Sequence, residues 1–135
     1  MNRKFTLGKH ERLKSRKAIS ALFSKGKKLN ISPLLAYYTL HRIDSDSSKT
    51  VPVLMGAGVR NKYFKSAVDR NRIKRCIRES YRLQSLQLKS LFQEKGWQLH
   101  VFFIFTAKEI GQLTNISAKM NLILQQLESV ITDHA

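Results

Sequence analysis

Between Ala67 and Arg82 the chain reads AVDRNRIKRCIRESYR, a run whose residue types suit the binding of a polyanion. Wound at about 100° per residue, Arg70, Lys74, Arg78 and Arg82 fall in one i, i+4 row, with Asn71 and Arg75 beside it. Arg72 adds a further guanidinium, and only Asp69 and Glu79 dilute the charge. Like charges four residues apart repel by roughly 0.2–0.5 kcal/mol per pair. Such a row is unfavourable until phosphates neutralise it, whereas a solvated helix face ordinarily mixes its signs. Ile73, Cys76, Ile77, Ser80 and Leu83 gather on the opposite side and supply a packing face. The pattern predicts a nucleic-acid-binding helix.

Other chemistries find less support. His10, His41, His100 and His134 are scattered, without a paired metal-ligand spacing, and the single Cys76 reads as a small buried hydrophobe. The glycines at 56 and 58 lack the residues of a phosphate-binding turn. Asp69 sits where a helix N-terminus favours an anion. The expectation is that no protein side chain is catalytic, and no metal site is legible in the sequence.

The elements that must position the cations follow from composition and periodicity. There are 135 residues, 42% apolar, with 25 Lys plus Arg against 9 Asp plus Glu and a net charge of +16. That predicts a single RNA-binding domain over residues 1–135, with 1–14 as an extended basic arm. Ten cations fall in residues 1–30 and nine in 60–82, and the rest of the chain is balanced. No apolar run approaches a membrane span, the N-terminus lacks a signal-peptide core, and one cysteine cannot form an internal disulfide. A cytoplasmic protein without a membrane partner is expected.

Along the chain, Ser15 or Arg16 opens a short helix carrying Ile19, Leu22 and Phe23, and Gly26 ends it. Lys27 to Ser32 reads as an edge strand and Leu34 to Ile43 as a strand. A turn at 44–50 leads to a hairpin partner over Val51 to Val59. Arg60 to Ser66 is a basic loop holding Lys62, Tyr63, Phe64 and Lys65. One long helix is expected from Ala67 to Phe92, a buried strand from Trp97 to Thr106, and an amphipathic helix from Asn115 to Ile131. The order α-β-β-β-α-β-α predicts an α+β fold, helices packing a small mixed sheet.

With these residues in place, the chain resembles the bacterial ribonuclease P protein component. That family carries a helix written AVxRNRxKRxxRExxR, matched here at Ala67, Val68, Arg70, Asn71, Arg72, Lys74, Arg75, Arg78, Glu79 and Arg82. Arg12, Leu13 and Lys14 ahead of a helix ending near Phe23 and Gly26 resemble its N-terminal pattern. Ile19, where the family commonly has an aromatic, and Arg60-Asn61-Lys62 in place of a Ser-Lys-Lys-like segment depart from it.

The resemblance implies a division of labour. A catalytic RNA subunit, using Mg²⁺, removes the 5′ leader from precursor tRNA. The protein holds that RNA through Arg70, Asn71, Arg72, Lys74, Arg75, Arg78 and Arg82, with Lys62 and Lys65 adjoining. A cleft of Phe23 and Tyr38, rimmed by Arg12, Lys14 and Arg16, takes the leader. The resemblance also implies a left-handed crossover between the Val51 and Trp97 strands, against the usual right-handed rule. No small-molecule substrate is expected. A ribosomal-type structural RNA-binding protein is the alternative. A helix-turn-helix regulator fits poorly, because a strand and not a partner helix precedes the basic loop.

Overall fold

The computed structural model describes residues 9–43, 50–60 and 62–134; residues 1–8 of the arm, most of the expected 44–50 turn and Asn61 lie outside it. After a 3-10 turn at Lys9–Glu11 come helix α1 (Arg16–Lys25) and strands β1 (Lys27–Ile31), β2 (Leu34–Arg42) and β3 (Val53–Val59). Helices α2 (Ala67–Gln84) and α3 (Leu86–Lys95) lead to β4 (Trp97–Phe105), and a 3-10 segment at Ile110–Asn115 runs into α4 (Ile116–His134).

The four strands form one mixed sheet in the order β1-β2-β4-β3. β1 and β2 are the antiparallel hairpin, β2 pairs antiparallel with β4, and β3 pairs parallel with β4. The expected pairing of β3 with β2 is therefore wrong. β4 takes the place between them because it is the most apolar strand and its alternate residues Leu99, Val101, Phe103 and Phe105 are fully buried. β1 and β3 are the two edges, and the exposed Lys27 and Lys28 of β1 suit an edge strand.

On one face, Leu34, Ala36 and Tyr38 of β2, Val53 and Met55 of β3, and the odd residues of β4 meet Ile73, Ile77 and Tyr81 of α2. Leu88 and Phe92 of α3 join this core, as do Ile116, Met120, Ile123, Leu124, Leu127 and Ile131 of α4. The opposite face carries α1, whose Leu22 is buried and whose Phe23 meets Tyr37 and Phe102.

The expected single helix from Ala67 to Phe92 is two. The chain leaves helical geometry at Ser85 (φ −95°, ψ 1°), and the buried junction swings α3 so that Leu88 and Phe92 reach the core. No glycine or proline marks the break, and the buried Ser85 hydroxyl makes no hydrogen bond to the backbone that would explain it locally. Leu83, assigned to the packing face, is 71% exposed, while the neighbouring Gln84 amide donates to the Ser117 carbonyl of α4 at 3.1 Å. Gly96 closes α3 at φ 77°, in the left-handed region that glycine enters without strain.

Candidate nucleic-acid interface

Helix α2 presents its cations in four different situations. Arg72 and Arg75, with Asn71, are exposed. Arg70 is half-buried and turned back on the preceding loop, where its Nη1 donates to the carbonyls of Phe64 at 2.9 Å and Lys65 at 2.6 Å. That clamp orders the loop from the helix side, and Phe64 anchors it from the other by packing 5.9 Å from Phe105. Lys62 and Lys65 are thereby held exposed beside the helix start, with the Lys62 ammonium 5.0 Å from the Tyr63 ring centre. At the far end Arg82 makes a forked pair with Glu79, 2.9 Å from Nη2 to the carboxylate and 3.1 Å from Nε. That hydrogen bonding raises the Arg82 pKa. Lys74 and Arg78 lie between them in the same row, half-buried.

Arg78 joins the helix to a cleft. A cavity of about 220 Å³ is lined by Arg12, Leu13, Lys14, Met55, Gly56, Ala57, Arg78 and Phe102. Its wall is built when the N-terminal segment adds itself to the free edge of β3, with Arg12 bridging Met55 and the Leu13 amide donating to the Met55 carbonyl at 2.8 Å. The arm is thus docked from Arg12 onward, and an ion pair between Glu11 and Lys89 of α3 ties it down. Burial, and then the neighbouring Arg12, lower the Arg78 pKa. Two guanidinium groups converging in one cleft are a site for an anion.

The floor is aromatic. Phe102 lies across β3, so close that a Cβ on Gly56 would stand 2.5 Å from its ring and one on Gly58 2.9 Å. These two positions need glycine for space. Phe23 of α1, 44% exposed, meets Phe102 edge-on at 5.4 Å and Tyr37 at 5.0 Å. Lys28 of the edge strand lies 5.4 Å from the Tyr37 ring centre.

The aromatic that shares this face with Phe23 is Tyr37, and the assignment of Tyr38 to the cleft is corrected. Tyr38 is 6% exposed and belongs to the row of Val101 on the core face, where burial raises its hydroxyl pKa. Its edge lines a separate groove with Lys25, Lys27 and Val130. Strand alternation left two phases open, and the helices cover the 34/36/38 phase. Lys14 and Arg16 are exposed where the arm enters α1, and Ile19 is half-buried on that helix.

Phe102 was missed because VFFIF reads as one buried run. The signal was in the alternate positions: Gln98, His100, Phe102 and Ile104 share a phase whose first two members are polar, and the 56/58 glycine pair is its counterpart on β3. Among the described residues, no three His, Cys, Asp or Glu side chains are placed to hold a metal ion, and no helix is long and apolar enough to cross a membrane.

A cation-faced helix set beside an aromatic, cation-rimmed cleft on a small mixed sheet defines a basic α+β RNA-binding protein. The sequence model of the family Ribonuclease P matches residues 7–132. The chain is 31% identical over 134 residues to the ribonuclease P protein component of Porphyromonas gingivalis, covering 97% of this chain and 93% of that one. It is 33% identical over 129 residues to that of Chlorobaculum tepidum, covering 91% and 83%. In fold it is similar to the RNase P proteins of Staphylococcus aureus (TM-score 0.60, 21% identity, 87% of this chain and 96% of that one) and Thermotoga maritima (TM-score 0.61, 20% identity, 86% and 96%). The chain belongs to the ribonuclease P protein component family.

Proposed function

We propose that this chain is the protein subunit of ribonuclease P, and that it assists an RNA-catalysed removal of the 5′ leader from precursor tRNA. The observation that carries the reading is the junction at Arg78, where the cationic helix and the aromatic cleft meet in one continuous surface. Arg72, Arg75, Lys62 and Lys65 face outward to neutralise phosphates of the folded catalytic RNA. Arg70 holds the loop that presents two of them. Arg12, Lys14 and Arg78 bind phosphates of the unpaired leader, and Phe23, Tyr37 and Phe102 offer ring faces and edges to its bases. Stacking of this kind tolerates any base, which suits a substrate whose leaders differ in sequence.

Catalysis belongs to the RNA in this reading, and so does Mg²⁺. That ion takes oxygen donors, whereas the groups converging on the cleft are guanidinium and ammonium, so the cleft does not fit it. The protein contributes charge neutralisation and substrate position.

The test compares precursor tRNA with mature tRNA on the reconstituted holoenzyme. Phe23→Leu and Tyr37→Leu should each weaken precursor binding by about 1 kcal/mol and leave mature tRNA unchanged. Equal losses on both RNAs in variants of unaltered melting temperature would remove the cleft from the leader.

A further inference from the structure

The sheet face that holds Phe102 and Tyr37 carries a second aromatic pair that the cleft does not use. His100 lies two residues before Phe102 on β4, one strand repeat or about 7 Å along the same face. His41 lies four residues beyond Tyr37 on β2. Register places Thr39 opposite His100 and Gln98 opposite His41, so the imidazoles meet across the diagonal, their centres 4.1 Å apart and their planes inclined by 40°. Each ring is fixed at its edge. His41 Nε2 hydrogen-bonds the Thr39 hydroxyl at 2.8 Å, and His100 Nε2 hydrogen-bonds the Gln98 side-chain oxygen at 3.0 Å. Gln98 is itself held, donating from its amide to the Val51 carbonyl at 2.8 Å.

Bonding at the edges fixes the planes while His41 stays exposed and His100 half-exposed. The pair is also uncharged at neutral pH on the His100 side, because burial and then the neighbouring His41 push that pKa down to about 4. Cross-strand packing alone, worth roughly 0.2–1 kcal/mol, accounts for the contact. It does not account for a ring pair in which each imidazole is held by its own side-chain hydrogen bond, one of them buttressed through Gln98, on the open face of a nucleic-acid-binding sheet.

We propose that the His41–His100 pair is a nucleobase-stacking subsite that receives a leader nucleotide beyond those held at Phe102, extending the single-strand track along β2 and β4. The inference rests on the leader-binding reading of the cleft. It assigns the residues recognition through the ring face, with no demand on base identity.

The experiment measures holoenzyme affinity for precursor tRNAs whose leaders lengthen one nucleotide at a time. The double variant His41→Leu, His100→Leu should match the parent on the shortest leaders. On longer ones it should fail to gain affinity, a deficit of roughly five- to tenfold, as for the removal of one stacked base. His41→Phe with His100 intact should keep the gain, since a ring remains. The proposal is overturned if the Leu pair follows the parent at every length, or if it loses equally on leaderless tRNA. It is overturned as well if His41→Phe fails in the manner of the Leu pair, which would assign the role to imidazole hydrogen bonding. Phe23→Leu in the same series separates the two readings. Its loss should already be present on short leaders. A Phe23→Leu holoenzyme that follows the parent at every leader length would overturn the cleft reading, and the subsite with it.

Discussion

Tyr37 and Tyr38 are adjacent in sequence and belong to opposite faces of β2, so they separate folding from binding at single-residue resolution. Tyr38→Leu removes a ring from the core row of Val101 and should lower the melting temperature, a cost of about 1–3 kcal/mol for a core side chain of altered shape. Once folded, that variant should discriminate precursor from mature tRNA as the parent does; loss of that discrimination would return Tyr38 to the cleft. His100 offers a residue-scale test by pH. Its unfolded imidazole takes a proton near pH 6.5, while burial and His41 hold the folded one to about 4. Between those values the unfolded chain binds more protons, so stability falls as pH falls through the window and is fully present above it. The ring is half exposed, and screening limits the effect to about 1 kcal/mol. Denaturant unfolding at several pH values, parent against His100→Gln, should show a difference that shrinks toward acid. Parallel curves for the two would contradict the shifted pKa.

At the scale of elements, the cationic helix divides its arginines between outward and inward work. Arg72→Ala and Arg75→Ala should each weaken binding of the catalytic RNA and flatten the dependence of log K on log salt by roughly 0.7–0.9 for each phosphate no longer neutralised. Arg70→Ala should act differently. It releases the carbonyls of Phe64 and Lys65, costs about 1–3 kcal/mol of stability as a charged hydrogen-bond donor, and loosens the loop that carries Lys62 and Lys65. Thermal melts alongside the salt series distinguish the two outcomes, and an Arg70→Ala protein that melts like the parent would refute the clamp. On β3, Gly56→Ala places a methyl group against the Phe102 ring, which must tilt. That variant should melt lower by the equivalent of about 1–3 kcal/mol and lose leader affinity together. Unchanged leader affinity would take the Phe102 ring out of the site.

Much of this was legible because it is periodic. The i, i+4 spacing of Arg70 to Arg82 marked α2, Ser15 and Gly26 bracketed α1 within a residue, and Ile116 to Ile131 declared the core face of α4. What failed was non-local. Nothing in Val53–Val59 states which strand it will join, and β4, far along the chain, outcompeted the nearer β2 for the central place. The side of the sheet left open could not be read from Tyr37-Tyr38, because α1 and the α2–α4 layer both cover apolar rows and only their docking says which is the core. The break at Ser85 likewise answers to packing of Leu88 and Phe92 more than to a local signal.

For the whole molecule, the distribution of charge is the functional statement. The net +16 is concentrated in residues 1–30 and 60–82, and among the described residues the two blocks meet where Arg12, Lys14 and Arg78 line one cleft. Under the proposed function, such a molecule meets RNA through its phosphates and substitutes in part for the divalent cations that would otherwise screen the contact between catalytic RNA and substrate. The most direct test is cleavage of a precursor tRNA by the catalytic RNA at low Mg²⁺, with and without this protein. The account predicts that the protein restores cleavage at the mature 5′ end, and that Arg72→Ala, Arg75→Ala protein restores much less. Catalytic RNA whose cleavage is unaffected by a well-folded preparation of this chain would contradict it.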